Sequence, residues 1–193
     1  MILVRNDSSN SSFTPSDGLL TAADLPGYSL TRQDDKSTPV NGQTTPATCV
    51  DVIAAQDRLV ERQSSVAVVA QSASDDLPTI TQSVLTGGPS VAQTRDTVSR
   101  CPQYAKSAGA ESVTIATTVL RPPSQCPSDA LVVRMRTQLN TAQLQSDSSS
   151  IVGYVQGRSA VGVLTEVLRS PTQDVPDRFC SLLTTIQNRI GEK

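Results

Sequence analysis

Four cysteines, Cys49, Cys101, Cys126 and Cys180, constrain this chain more than any other feature. No two of them stand as C-x-x-C, so the spacing of a zinc ribbon or a dithiol redox centre is absent. An even number of well-separated cysteines fits a structural disulfide set in an oxidising compartment. Four cysteines can pair in three ways. We favour Cys49–Cys101 with Cys126–Cys180, each closing a loop of just over 50 residues. In the chain-entropy model a loop of that size contributes about 4 kcal/mol.

Composition excludes several function classes. The 193 residues contain no histidine and no tryptophan, with 16 Lys and Arg against 18 Asp and Glu. Without imidazole there is no Ser-His-Asp triad, no Cys-His dyad and no histidine metal ligand. A net charge of −2 with few aromatic residues argues against nucleic acid as a partner. No apolar run approaches the roughly 20 residues that span a bilayer. Ser and Thr are abundant and Arg far outnumbers Lys, a balance resembling secreted proteins of high-GC bacteria.

The segment Met1-Ile2-Leu3-Val4 is too short for a signal-peptide core. With the cysteines, this reads as a mature ectodomain that has lost an N-terminal anchor, Met1 being a start residue placed ahead of it. The polar stretch RNDSSNSSFTPSD completes an expected flexible tether over 1–17. One folded domain is expected over 18–193.

Periodicity supplies the elements. A helical turn is expected over Asp17–Leu25, and a strand over Tyr28–Gln33, followed by a loop from Asp34 to Thr45. Thr48 reads as the N-cap of a helix carrying Cys49, Val52, Ile53, Gln56, Leu59 and Val60 on one face, with Asp51 completing a capping box. Ser65–Ser72 is rich in β-branched residues and reads as a strand. Ile80–Leu85 fits either a strand or a helical turn. Ser90 caps a second helix, with Val91, Arg95, Val98 and Cys101 at helical spacing, closed by Pro102. Strands follow over Glu111–Leu120 and Ala130–Leu139. Gln145–Ser148 reads as a loop, and Ser150–Gln156 with Ala160–Leu168 as a hairpin. Val175, Phe179, Leu182, Leu183, Ile186 and Ile190 form the stripe of a C-terminal helix. The resulting fold class is α+β: an antiparallel sheet of five to seven strands with helices packed on one face, stapled by disulfides.

Candidate sites are few. Lys36, Lys106 and Lys193 fall in loops or at the terminus, and no S-x-x-K spacing supports a Ser-Lys dyad. Asp34-Asp35 and Asp75-Asp76 read as solvated turns, not as paired catalytic acids or a metal site. Gly87-Gly88 precedes Pro and lacks a Walker lysine. The remaining cluster is Arg134, Arg136, Tyr154 and Arg158. If the strands bearing them pair, these side chains share the sheet face opposite the helices, where Arg and Tyr can hold a polar or anionic ligand.

The order of LLTAADLPGY, ATCVDVIAAQDRL, SVAVVAQS, the helix ending SRCPQYA and the hairpin IVGYVQGRSAVGVLTEVL before a final helix resembles a mycobacterial pattern. It is that of the extracellular sensor domain of the PknH-type Ser/Thr kinases and of related actinobacterial lipoproteins. The resemblance runs from Leu19 to Ile190. It implies a disulfide-stapled α+β domain outside the membrane with a cleft for an unidentified ligand. Cys49 and Cys101 look similar to the helix-to-helix bridge of that family.

The expected role is therefore an anchored, non-catalytic extracytoplasmic binding or sensor module of the cell envelope. It would have no cofactor and no metal. Its partner would be a small molecule or an envelope protein, and the membrane would be met only through the anchor. The alternative is a secreted structural or interaction protein without a small-molecule site. A concave pocket with converging polar groups separates the two.

Overall fold

The computed structural model describes residues 13–35, 40–74, 77–170 and 173–191. Nine strands form one sheet: β1 (Tyr28–Asp35), β2 (Gln43–Thr45), β3 (Ser64–Ser72), β4 (Ile80–Thr86), β5 (Gln103–Ala108), β6 (Glu111–Leu120), β7 (Leu131–Asn140), β8 (Gln145–Gln156) and β9 (Val161–Val167). Every pairing is antiparallel, in the order β1-β3-β4-β9-β8-β7-β6-β5-β2. Three α-helices accompany it: α1 (Val50–Val60), α2 (Val91–Arg100) and α3 (Asp177–Gly191). The α+β class is as expected, but the sheet exceeds five to seven strands. The additional strands, β2 and β5, pair with each other at one edge; β5 contains no β-branched residue, and β2 is only three residues long.

The helices do not share one face, which corrects the expectation. Successive residues of β8 point to opposite sides of the sheet. Ile151 and Val155 pack with Phe179, Leu183 and Ile186 of α3 in the large core. Val152 packs with Val91 of α2, Leu131 and Val133 in a second cluster. The central strands are therefore apolar on both sides, and Leu131, Val132 and Val133 are all buried. Helices are needed above and below such a strand.

α3 lies directly on the sheet because glycines underlie it. A Cβ at Gly153 would stand 2.6 Å from Leu183 Cδ1 and 2.9 Å from Phe179 Cε1. The same core takes in the N-terminal segment. Buried Gln82 on β4 accepts from Leu20 N–H (2.9 Å) and donates to the Gly18 carbonyl (3.3 Å), so no polar atom of this contact is orphaned. Arg189 of α3 donates to the Leu19 carbonyl at 2.7 Å and pairs with Asp24 at 2.9 Å. Folded structure begins before the expected domain start at 18: Phe13 packs against this core and Pro15–Gly18 forms a 3-10 turn. Residues 1–12 of the expected tether lie outside the described residues, as do Asp75 and Asp76.

Both disulfides are present, Cys49–Cys101 with Cα atoms 5.6 Å apart and Cys126–Cys180 with 4.4 Å. The second ties the loop before β7 to α3 within the large core, and the first ties the other two helices together.

Candidate functional site

The site is built where the α1–α2 pair stands over the sheet. α1 starts after a 3-10 turn, Ala47–Cys49, closed by a bond from Cys49 N–H to the Pro46 carbonyl (2.9 Å). Cys49, not Thr48, is therefore the N-cap residue, and no side chain caps α1. At α2 the capping box is complete: Ser90 Oγ accepts from Gln93 N–H and the Gln93 side chain accepts from Ser90 N–H. The Val91 N–H, left over by the helix, donates to Gln156 Oε1 at 3.1 Å and anchors α2 to the end of β8.

Two further links fix the helices to one another. The Cys49–Cys101 bridge joins the start of α1 to the residue that caps the end of α2. Midway along, Thr97 Oγ1 donates to Gln56 Oε1 at 3.1 Å. α1 is held down at its far side by Lys106, only 5% exposed, which donates to Asp57 (2.6 Å) and to the Val40 carbonyl (2.8 Å). Lys106 is thus a buried strand residue paired across the layers, where the sequence placed it in a loop. The period-2 position it shares with Tyr104 was the signal for β5.

Between the pair and the sheet lies a cavity of about 320 Å³. Its floor follows from strand register. Ser83, Val163 and Tyr154 are cross-strand partners on β4, β9 and β8 and face the same way. Leu85 and Val161 form the next row. Gln56 and Val60 of α1 and Thr94 of α2 form the roof. The floor is therefore aliphatic along its middle strand, with hydroxyl-bearing residues on both flanking strands, their backbones roughly 10 Å apart at two strand spacings.

Burial pushes the Tyr154 phenol up to about 12, with the neighbouring Tyr104 adding to the shift. Burial also raises Tyr104, helped by the Asp57 carboxylate. Both phenols stay neutral through the physiological range, as donors and acceptors of hydrogen bonds. The cavity thus holds hydroxyl and amide groups but no nucleophile–base pair. Among the described residues no three His, Cys, Asp or Glu side chains group as a metal site, and no helix is long and apolar enough to cross a membrane.

The four residues expected to form a site do not come together. β7 pairs with β8 in the register Leu131↔Tyr154, which turns Tyr154 to the α1–α2 side with Leu131. Arg134 and Arg136 alternate to the other side with Val132. Arg134 donates to the Gln173 carbonyl at 2.9 Å, and its buried Nε has no partner among the described residues. Arg136 makes a bidentate, exposed ion pair with Asp147. Arg158 is exposed in the β8–β9 turn and lines an adjoining cavity of about 230 Å³ at the start of α2, which shares Leu85, Pro89 and Val161 with the cleft. Tyr154 alone lines the cleft. The residues that sequence reasoning missed are Gln56, Ser83 and Thr94, whose convergence depends on which strands are neighbours.

A second polar group is buried on the α3 side. Glu166, 1% exposed, accepts from Arg178 at 2.9 Å through one oxygen; its Oε2 is unpartnered among the described residues. Arg178 also donates to Tyr28 Oη at 3.3 Å, and Tyr28 donates to the Pro78 carbonyl at 3.1 Å. This chain ties α3 to β9 and to the loop before β4.

No family model and no curated protein sequence matches the chain. Among solved structures it is similar to the extracellular domain of PknH from Mycobacterium tuberculosis, at 11% identity and a TM-score of 0.49, over 92% of this chain and 95% of that one. It is also similar to an uncharacterised protein, the Rv0999 orthologue, from Mycobacterium smegmatis, at 10% identity and a TM-score of 0.46, over 86% and 90% of the two chains. The kinase type that the sequence resembles is thus met again among these structures. At such identities and scores the likeness concerns overall arrangement only.

Proposed function

We propose that this chain is a non-catalytic, extracytoplasmic binding module that takes a small molecule in the cleft between the α1–α2 pair and the sheet. The observation that carries the reading is the cavity of about 320 Å³ in which uncharged polar groups converge over an aliphatic floor. That volume is at the small end of the roughly 300–1,000 Å³ usual for ligand sites. Two disulfides support an oxidising location. The polar stretch ahead of the domain suits a tether to a membrane anchor, either a lipid or a transmembrane helix. A sensor role follows naturally, because the cleft roof is a separate layer held by a bridge of its own and can respond to what fills the space below it.

The test is thermal stabilisation by a small-molecule library, run on the wild-type domain and on Val163→Phe, which fills the floor. A cleft ligand at 100 times its Kd stabilises by about 2.7 kcal/mol. It must do so in the wild type and not in Val163→Phe. Ligands that stabilise both equally bind elsewhere and would remove the cleft as the site.

A further inference from the structure

We infer that the cleft selects an uncharged cyclic polyol, a neutral sugar ring, seated with its C–H face on Val163 and its hydroxyls toward Ser83 and Tyr154. The inference rests on the cleft being the binding site and names the chemistry of its ligand.

Three features of the site lead there. None of the residues lining the cavity carries a charge. Lys106 and Asp57, which hold α1 to the sheet, satisfy each other internally, and the Arg158 guanidinium stands in the adjoining cavity, outside the cleft lining. An ionised ligand entering this space would lose water without gaining a counter-charge, which is costly enough to exclude it. The ligand is therefore neutral.

It is also polar at its edges and apolar at its centre. The row Ser83–Val163–Tyr154 sets a hydroxyl-bearing, an aliphatic and a hydroxyl-bearing residue side by side on three adjacent strands, and all three line the cleft. Above it, Gln56 uses its carbonyl oxygen on Thr97, which leaves its amide N–H groups for the cleft. Thr94 gives its hydroxyl proton to the Ser90 carbonyl and so presents only acceptor capacity. Hydroxyls around a ring with a C–H face match this set of donors and acceptors. A purely apolar ligand does not, since it would strand the Tyr154 and Ser83 hydroxyls out of water. The elevated Tyr154 pKa keeps that hydroxyl a donor at every physiological pH, so recognition is insensitive to pH.

The experiment titrates the full chain with matched methyl pyranosides: the neutral glucoside, galactoside and mannoside, the anionic glucuronide and the cationic glucosaminide. Binding is read from the Tyr154 ring and the Val161 and Val163 methyl signals by NMR. At least one neutral glycoside is expected to shift these signals, with an affinity at least tenfold above both charged forms. Tyr154→Phe should weaken it about tenfold while leaving the thermal unfolding midpoint within a few degrees. Equal or tighter binding of a charged form at these signals overturns the neutral class but leaves the cleft as a site. No shift with any glycoside, while other library members shift the same methyls, also overturns the sugar class alone. No shift with any compound removes both the sugar and the cleft. Unchanged affinity in Tyr154→Phe, in a variant whose other signals are intact, overturns the role of its hydroxyl.

Discussion

Replacing each cystine in turn by a pair of alanines separates stability from site geometry. The two bridges span 52 and 54 residues, so the loop-closure model gives nearly the same value for both, about 4 kcal/mol. A domain of ordinary stability, roughly 5–15 kcal/mol, survives either loss with little to spare. Equal cost does not mean equal consequence. Cys126 and Cys180 sit in the large core beneath α3, whereas Cys49 and Cys101 hold the cleft roof together in a small cluster with Val52 and Ile53. Urea unfolding should therefore show two similar losses in stability. Native-state hydrogen exchange should differ: the variant without Cys49–Cys101 loses protection in α1 and α2, and the variant without Cys126–Cys180 keeps it. A loss below about 1 kcal/mol in either variant would refute loop closure as the source of stability. The same exchange pattern in both would refute the claim that the first bridge fixes the roof.

Gly153→Ala should destabilise the domain by about 1–3 kcal/mol in thermal unfolding, because its Cβ meets Leu183 and Phe179, both fully buried; an unchanged midpoint would show that α3 does not lie so close. Asp57→Ala strips the buried Lys106 of its counter-charge and should cost about 2–3 kcal/mol in urea, below the value for a fully buried pair because Asp57 is part exposed; Lys106→Met should cost less. For Asp24, burial pushes the carboxyl up, but hydrogen bonds from Arg189 and Thr21 outweigh it and its pKa is lowered. Its contribution is thus complete above the unfolded value and lost as pH falls through the folded one. The acid side of the stability profile should therefore flatten in Asp24→Asn.

Much of the fold was legible because it is written in local patterns. The α3 stripe ending at Ile190, the Ser90 cap, strand β6 and the hairpin around Gly157–Ser159 follow from periodicity and turn chemistry alone. The strands that escaped are those whose pairing, not their composition, makes them strands. Gln145–Ser148 has no apolar residue and is extended because Thr137–Asn140 pair with it. Gln103–Ala108 is drawn into the sheet by β6 through a turn at Gly109, whose φ of +61° favours glycine. The consecutive buried run Leu131–Val133 did carry the signal for helices on both sides.

The site was harder to read because it depends on strand order. Ser83, Val163 and Tyr154 lie far apart in sequence and meet only because β9 is inserted between β4 and β8. Tyr154 pairs with Leu131 and Arg134 with Ile151, three positions along the ladder, and an odd number of steps puts the two side chains on opposite sides of the sheet.

The most direct measurement is a methyl-labelled NMR map of ligand binding on the Leu and Val side chains of the wild-type domain. Bound fragments should cluster their shifts on Val60, Leu85, Val161 and Val163. Another cavity, of about 470 Å³, lies between α1 and α2 and is lined by Val52 and Leu59. Shifts confined to that groove, or absent from all these positions, would contradict the cleft as the place where this domain meets its ligand.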